Sequence, residues 1–377
     1  MKFIYSDFKA AGEAFLSNLL QELKGLGIAD THLQPDHLCY RVESKAEYQQ
    51  YKNFLLNHGE LLTEAPVNGR AICTFKLKAP FVVGAVKVDL LELPAPKSGS
   101  AYVTGFEHAE FVIKEDFKIF AALYPTLSFH SGGNKLTNPE LSLKTAKGQA
   151  KFHHASLDRV IEIEQAAITD IVLDFDGTII ESREAIYKIN ARVFSTILNR
   201  EVTTDEAKAK YSPEYPKLLE YFEVTCPELA KKAVNLWGQF AEEMTFELFT
   251  GMADLLHKMH AQNLRLHIWT ARDLASTLKT LKHHKIEHLF TTISAAHDET
   301  PKPHRESLNF PWKSAKPNSF VVIGDNPTDI IGAKNVAAIP AAALWDPHAK
   351  RHSLISAGAE LYFHDVAEFE TWILQKN

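Results

Sequence analysis

Asp174 and Asp176 lie in the segment DIVLDFDGT, directly after Ile171, Val172 and Leu173, a run apolar enough to form a buried strand. Carboxylates at that point are informative because open α/β sheets bind ligands beyond the carboxyl ends of their strands, where the following helices present their N-termini. FVVIGDNPTD repeats the arrangement, with Asp325 and Asp329 after an apolar run and Gly324. LHIWTAR ends a third apolar run in Thr270, whose hydroxyl and neighbouring amides could hold phosphate oxygens, and Lys302 follows in TPKPHRES. Each segment alone is also what an ordinary strand-to-helix turn or a solvated charge looks like. Together they supply carboxylates, a hydroxyl and a fixed cation.

Those residue types suit phosphoryl transfer. A phosphate monoester dianion repels an attacking carboxylate, so a site for it must gather positive charge. Mg²⁺, a hard cation that takes oxygen ligands, matches Asp174, Asp325 and a phosphate oxygen, and Lys302 adds the fixed cation. Asp174 is then the in-line nucleophile that forms an aspartyl-phosphate. Asp176 is the general acid for the leaving oxygen and afterwards the base for water.

A second set of candidates lies in the first half. DHLCYRV and EHAEFVI both begin acid-His and continue as alternating strands, with His37 and His108 71 positions apart (108 − 37). Glu92 in LLELP and Glu162 in VIEIEQ form another pair, 70 apart (162 − 92). This recurrence predicts duplicated βαβββ modules. Leu38, Tyr40 and Val42, like Ala109, Phe111 and Ile113, share an apolar face, which leaves His37, Arg41, His108 and Glu110 on the other, expected to line a wet cavity. Two histidines with two glutamates suit a mixed nitrogen and oxygen site for Zn²⁺, Ni²⁺, Mn²⁺ or Fe²⁺. A strand histidine that merely hydrogen-bonds is the plainer alternative.

The elements that would position these residues can be read from periodicity. Phe8, Ala11, Phe15, Leu19 and Leu23 recur at steps of three and four, so residues 6–24 are expected as a helix docking on a sheet, stopped by Gly25 and Gly27. From Leu38 to about Gln165 short β-rich stretches follow, including KFHH and RVIEIEQ, giving an α+β half. After Ala166 buried strands alternate with helices, as in a doubly wound parallel sheet. Between Glu181 and Phe249 helical patterns such as Ile186, Ile189, Val193 and Ile197 are separated by Pro213, Pro216 and Pro227, with no convincing strand. This predicts an inserted helical subdomain over about 182–248. The expected domains are 1–165 and 166–377.

Composition limits the functions open to the chain. It has 377 residues, 45% of them hydrophobic, with 41 Lys plus Arg against 47 Asp plus Glu and a formal charge of −6. That balance lacks the basic excess of a general nucleic-acid binder. No signal-peptide core or run of 18 apolar residues occurs, so neither secretion nor a membrane span is expected. Three scattered cysteines suit a reducing compartment, and the expected location is cytoplasmic.

The four C-terminal segments, in order, resemble the motif set of the haloacid dehalogenase (HAD) superfamily over about residues 168–377, most of all its phosphoglycolate phosphatase-like hydrolases. The resemblance implies a Rossmann-like α/β core with an inserted helical C1-type cap, and a phosphoric monoester hydrolase acting on a small phosphorylated metabolite. It further implies Mg²⁺ on Asp174, Asp325 and the backbone carbonyl of Asp176, phosphate on Thr270, the Ala271 amide and Lys302, and a supporting role for Asp329, with Asn326 in the same loop. The second Asp of the first motif disfavours dehalogenation. A phosphotransferase or phosphomutase on the same core, or a non-catalytic small-molecule sensor, are the rival readings. The chain departs from the family in having Ala-Arg-Asp after Thr270 and KPHRE at the lysine. Arg272 is read as a solvent-facing helix-start residue or a substrate contact, and Tyr187, Lys188 and Arg192 as substrate contacts or surface residues.

PDHLCYRV, NGRAICTFKL, LLELP, GFEHAEFVI and KFHH, spread over about 33–165, resemble the YecM-like branch of the vicinal oxygen chelate (glyoxalase-like) fold. That fold implies metal ligands at the His37, Glu92, His108 and Glu162 positions, with Glu164 an alternative of the same strand parity. The sequence leaves the oligomeric state open.

Overall fold

The computed structural model describes residues 4–67, 69–97, 99, 103–132, 138–212, 215–296, 300–309 and 312–376. Pro213, read above as a helix separator, lies outside them. The chain divides into two units, Met1–Ala166 with Ile355–Leu361, and Ala167–Leu354 with Tyr362–Asn377. No helix among the described residues is long and apolar enough to cross a membrane.

In the first unit, α1 (Tyr5–Gly25) precedes two copies of one pattern. The first runs β1 (Pro35–Arg41), α2 (Lys45–Leu56), β2 (Gly59–Val67), β3 (Arg70–Val83) and β4 (Val86–Pro94). The second runs β5 (Gly105–Val112), α3 (Phe117–Leu123), β6 (Phe129–Ser131), β7 (Leu141–Lys144) and β8 (Gln149–His153). All eight strands form one sheet in the order β2-β3-β4-β1-β5-β8-β7-β6. Each module closes by a parallel pairing, β1 with β4 and β5 with β8, and the modules join through the antiparallel β1–β5 pair. The sheet is therefore the βαβββ duplication predicted from the two acid-His strands. Leu38, Tyr40, Val42, Ala109, Phe111 and Ile113 are buried together in its apolar core.

Two expectations need correcting. The buried stripe of α1 is Phe8, Gly12, Leu16, Leu19, Leu20 and Leu23, while Ala11 is exposed. The helix is turned so that its side-chain-free position meets Phe81, where a Cβ on Gly12 would come within 2.4 Å of the ring. VIEIEQ is not a strand but part of α4 (Leu157–Gln165). Its alternation of Ile and Glu imitates a strand, yet Arg159 pairs with Glu162 three residues on, a helical spacing, and Ile161 and Ile163 both remain buried.

In the second unit a six-stranded sheet has the order β13-β12-β9-β14-β15-β16, with β9 (Asp170–Leu173) between β12 (Arg265–Trp269) and β14 (Phe320–Gly324). The outer strands are β13 (Phe290–Ser294), β15 (Ile339–Ala343) and β16 (Leu361–Phe363). β9 pairs in parallel with both neighbours, and every residue of β9, β14 and β15 is buried, as expected for a sheet covered on both faces. The insert is framed by a two-residue ribbon, β10 (Ile180–Glu181) against β11 (Glu247–Leu248), too short to show in the sequence. Within it lie α5 (Arg183–Leu198), α6 (Thr204–Ala209), α7 (Tyr215–Tyr221) and α8 (Pro227–Glu242). α5 buries Tyr187, Ile189, Val193, Phe194 and Ile197, and Phe194 stacks on Phe222 with ring centroids 3.9 Å apart. Beyond the insert come α9 (Met252–Ala261), α10 (Leu274–His283) after β12, and α11 (Pro327–Asn335) after β14.

Candidate active site

The carboxyl ends of β9, β12 and β14 bring the C-terminal candidates together. Asp174 follows β9 immediately, and its amide donates to the carbonyl of Ile323 at 2.9 Å, which fixes the loop to the neighbouring strand. Lys302 Nζ donates to Asp174 Oδ1 at 2.8 Å and to Asp329 Oδ1 at 2.5 Å. The ammonium also lies 5.4 Å from the ring centroid of the buried Trp269. Asp329 is fixed in turn by a reciprocal cap at the start of α11, where its other oxygen accepts from the Asn326 amide at 3.0 Å. Gly177, with φ +80°, lies against Asp325, whose carboxylate would be 2.5 Å from a Cβ at that position.

Carboxylate oxygens of Asp174, Asp325 and Asp329 all lie within 4.8 Å of one another. An all-oxygen set of this size fits a hard divalent cation such as Mg²⁺. Burial pushes the Asp174 carboxyl up to about 7 even though Lys302 opposes the shift, and the charges of Asp329 and Asp176 add to it. Burial, with the nearby Asp174 charge, also holds Asp325 well above the usual carboxylate range. Clustered buried acids behave this way because none can ionise cheaply beside the others. Removing one partner from such a buried pair costs about 3–5 kcal/mol, so Lys302 is a structural as well as an electrostatic member of the cluster.

Two arginines complete the site. Arg272 is buried, not solvent-facing, and grips Asp176 with two hydrogen bonds, Nε to Oδ2 at 2.9 Å and Nη2 to Oδ1 at 2.5 Å. Burial alone would raise Asp176, but the guanidinium overrides it and lowers that carboxyl. Arg183, which sequence reasoning missed, donates from Nη2 to Asp325 Oδ2 at 2.9 Å. A signal for it existed: as the first residue of α5 it places a cation at the positive end of the helix dipole, an unfavourable choice without a carboxylate elsewhere to answer it. Thr270 is buried, its hydroxyl accepts from the Arg272 amide at 3.0 Å, and Ala271 beside it is exposed. Tyr187 is buried edge-on to Tyr211 and His348, whereas Lys188 and Arg192 are exposed, Arg192 pairing with Glu243 at 2.8 Å.

The N-terminal candidates also converge, with one substitution. Ligand atoms of His37, Glu92, His108 and Glu110 lie within 4.8 Å of one another. The preceding acid of each acid-His pair holds the outer ring nitrogen, Asp36 at 2.9 Å from His37 Nδ1 and Glu107 at 2.8 Å from His108 Nδ1. Both Nε2 atoms are buried, and their polar contacts, like that of His153 Nε2 on β8, are with carboxylates. A carboxylate behind a histidine is the usual way of orienting a metal ligand. Glu110 is the hub: His108 Nε2 is 3.0 Å away, Lys151 Nζ donates to it at 3.1 Å, and His153 pairs with it closely. Burial favours neutral imidazole at His37, but Glu110 and Asp36 outweigh it and push the ring up to about 10. The face expected to line a wet cavity is closed, with His37 2% and Glu110 5% exposed.

Glu162 does not join this cluster. It is exposed on α4 and bonded to Arg159, and Glu164 is exposed on the same helix. Register shows why the sequence pairing of Glu92 with Glu162 misleads. Cys39 faces Glu92 across β1 and β4, and Glu110, 71 positions after Cys39 (110 − 39), faces Lys151 across β5 and β8. The module-equivalent of Glu92 is therefore Lys151, and the second carboxylate comes from Glu110. The strand parity that put Glu110 on the histidine face was the available signal.

Comparison with known proteins finds a different family on each side of this division. A family model for the YecM protein matches residues 5–128, and one for haloacid dehalogenase-like hydrolases matches residues 171–343. Protein YecM of Escherichia coli is 30% identical over 169 residues, spanning 41% of this chain and 90% of that protein. Pyrophosphatase PpaX of Halalkalibacterium halodurans is 26% identical over 174 residues, spanning 45% of this chain and 80% of that protein. Among solved structures, a haloacid dehalogenase-like family hydrolase from Streptococcus pneumoniae aligns with 55% of this chain and 99% of its own, at 20% identity and a TM-score of 0.47.

Proposed function

From the premise that this chain belongs to the YecM family in its N-terminal half and carries a haloacid dehalogenase-like hydrolase domain in its C-terminal half, we propose that it hydrolyses a small phosphate ester through an aspartyl-phosphate on Asp174. The observation that carries this reading is the convergence of Asp174, Asp325, Asp329 and Lys302 at one sheet edge. Asp174, Asp325 and the Asp176 carbonyl would hold Mg²⁺, with Asp329 behind them, and the bound ion would polarise the phosphoryl oxygens and offset their charge.

The residues divide the remaining work. Lys302, Thr270 and the Ala271 amide hold the phosphoryl oxygens. An Asp174 oxygen bonds to phosphorus as the bond to the leaving oxygen breaks, and that oxygen takes the electron pair. Asp176 enters protonated and gives its proton to the leaving oxygen, and the carboxylate left behind then takes one from water as the water attacks phosphorus and the Asp174–phosphorus bond breaks, releasing inorganic phosphate. The inserted helices would exclude bulk water from these steps.

For the N-terminal unit the donor set supports binding of Zn²⁺, Ni²⁺, Mn²⁺ or Fe²⁺ by His37, Glu92, His108 and Glu110. The test of the catalytic reading is hydrolysis of phenyl phosphate by the full chain with Mg²⁺. Activity is expected in the wild type and to fall by about 10⁴-fold or more in Asp174→Asn, the order seen when an enzyme loses its nucleophile. Undiminished turnover in that variant rejects the proposal. Product analysis with an added sugar acceptor separates transfer to water from transfer to a hydroxyl.

A further inference from the structure

Arg183 joins the acid cluster to the inserted helices. It is the first residue of α5, just after the ribbon strand that opens the insert, and its Nη2 donates to Asp325 Oδ2 at 2.9 Å. The pair is nearly closed to solvent, with 14% of the Arg183 side chain and 3% of the Asp325 side chain exposed. The guanidinium carbon also lies 5.0 Å from the ring centroid of Tyr211, just beyond α6 in the insert. A second acid is close by. Asp346 is 2% exposed in the loop after β15, and that loop meets the first turns of α5 through His348, whose ring packs edge-on to Tyr187 and whose Nε2 is 3.4 Å from Glu184. Asp346 Oδ1 accepts from the His348 amide at 2.7 Å, while Oδ2 is buried with no hydrogen bond among the described residues. Burial disfavours the Arg183 charge, yet Tyr211, Asp325 and Asp346 together raise the guanidinium above its ordinary value, so Asp346 lies within its electrostatic reach.

We infer that Arg183 is a latch between the divalent ion and the inserted helices: without the ion it is seated on Asp325, and when the ion takes that carboxylate Arg183 turns to Asp346 and loosens its hold on Tyr211. This rests on the phosphatase reading, in which Asp325 is a Mg²⁺ ligand, and adds a coupling that the reaction itself does not require. The physical cause is that a guanidinium and a divalent ion repel strongly when both lie against one buried carboxylate. Asp346 can receive the displaced cation because one of its buried oxygens still lacks a donor, and a buried acceptor left unmade is costly. Coupling of this kind is reciprocal. Whatever holds Arg183 on Asp325 weakens the ion there by the same factor, and the ion in turn weakens the tie between Asp325 and the insert.

The experiment is a calorimetric titration of Mg²⁺ into the full chain, repeated for Arg183→Gln, Arg183→Lys, Asp346→Asn and the variant carrying both Arg183→Gln and Asp346→Asn. Arg183→Gln should bind Mg²⁺ about tenfold tighter than the wild type, whereas Arg183→Lys, which keeps the charge, should stay close to it. Asp346→Asn should bind about fivefold more weakly where Arg183 is present and show no such loss beside Arg183→Gln, because its effect acts through the arginine. Hydrogen exchange gives a readout that needs no variant to fold: Mg²⁺ should speed amide exchange over residues 204–211 of the wild type, and where Arg183→Gln folds it should show no such response. Affinity unchanged or weakened in Arg183→Gln, Arg183→Lys as tight as Arg183→Gln, an equal loss from Asp346→Asn in both backgrounds, or wild-type exchange at 204–211 indifferent to Mg²⁺ overturns the inference. Any of these results, with Mg²⁺ still bound by the wild type and hydrolysis lost in Asp174→Asn, leaves the phosphatase reading standing, so the two can fail separately.

Discussion

The two polar clusters of this chain solve opposite electrostatic problems. At the C-terminal site four carboxylates are gathered and three cations, Lys302, Arg183 and Arg272, are fixed among them, each bonded to an acid. At the N-terminal site a single buried carboxylate, Glu110, is ringed by His37, His108, His153 and Lys151. The first arrangement would suit an anion with a hard cation beside it. The second presents ring nitrogens oriented from behind by Asp36 and Glu107, the preparation a transition metal needs. The lesson is that acid count alone does not name a site: what is bonded to the acids decides which charge the site lacks.

Several measurements would break or sharpen that contrast. After Asp174, the largest effect is expected at Asp176, where Asn should lower kcat for phenyl phosphate by about 10²–10⁴-fold, the usual contribution of a general acid and base. At the other site, His37→Ala and His108→Ala should each abolish stoichiometric Zn²⁺ or Ni²⁺ in the purified chain, measured by elemental analysis. Asp36→Asn, which removes only the group behind His37, should weaken that metal by about 10–100-fold in a competition titration. Wild-type metal content persisting in both histidine variants would contradict the ligand assignment.

A smaller, graded effect concerns pH. The folded Asp174 carboxyl lies at about 7, above its ordinary value near 3.9 in an unfolded chain. Between those values the folded state holds a proton that the unfolded state has lost. The metal-free protein should therefore be most stable at the acid end of this window and lose that contribution as pH rises through about 7. Mg²⁺ binding must expel the same proton, so its affinity should fall roughly tenfold per pH unit below 7, with proton release visible by calorimetry in buffers of differing ionisation enthalpy. A flat affinity profile from pH 5 to 7 would show that Asp174 is already ionised. The smallest effect is expected at Glu162→Ala, which should leave metal content unchanged and stability within about 0.5 kcal/mol, as for an exposed helix pair.

The two sites were also unequally legible. Asp174, Asp176, Thr270, Asp325 and Asp329 each lie in or near the loop after a buried strand of one parallel sheet, so apolar runs in the sequence locate them without knowledge of pairing, whereas Lys302, beyond the half-exposed β13, has no such run before it. The duplicated module was visible for a similar reason, because Asp36-His37 and Glu107-His108 open strands of the same alternation. Glu110 and Lys151 could not be assigned that way, since their roles depend on which residues face each other across β5 and β8, and α4 disguised its period with alternating Ile and Glu. Arg183 and Arg272 were obscured because their pairing depends on Asp325 and Asp176, 142 and 96 residues away respectively.

One small feature constrains how the C-terminal domain can vary. Gly177 leaves room for the Asp325 carboxylate and adopts a backbone angle that other residues resist, so even an alanine there would push on an acid it never contacts chemically. Damage at this position would imitate the loss of Asp325 itself in a protein whose every acid was still present, and a survey of variants confined to charged residues would miss it.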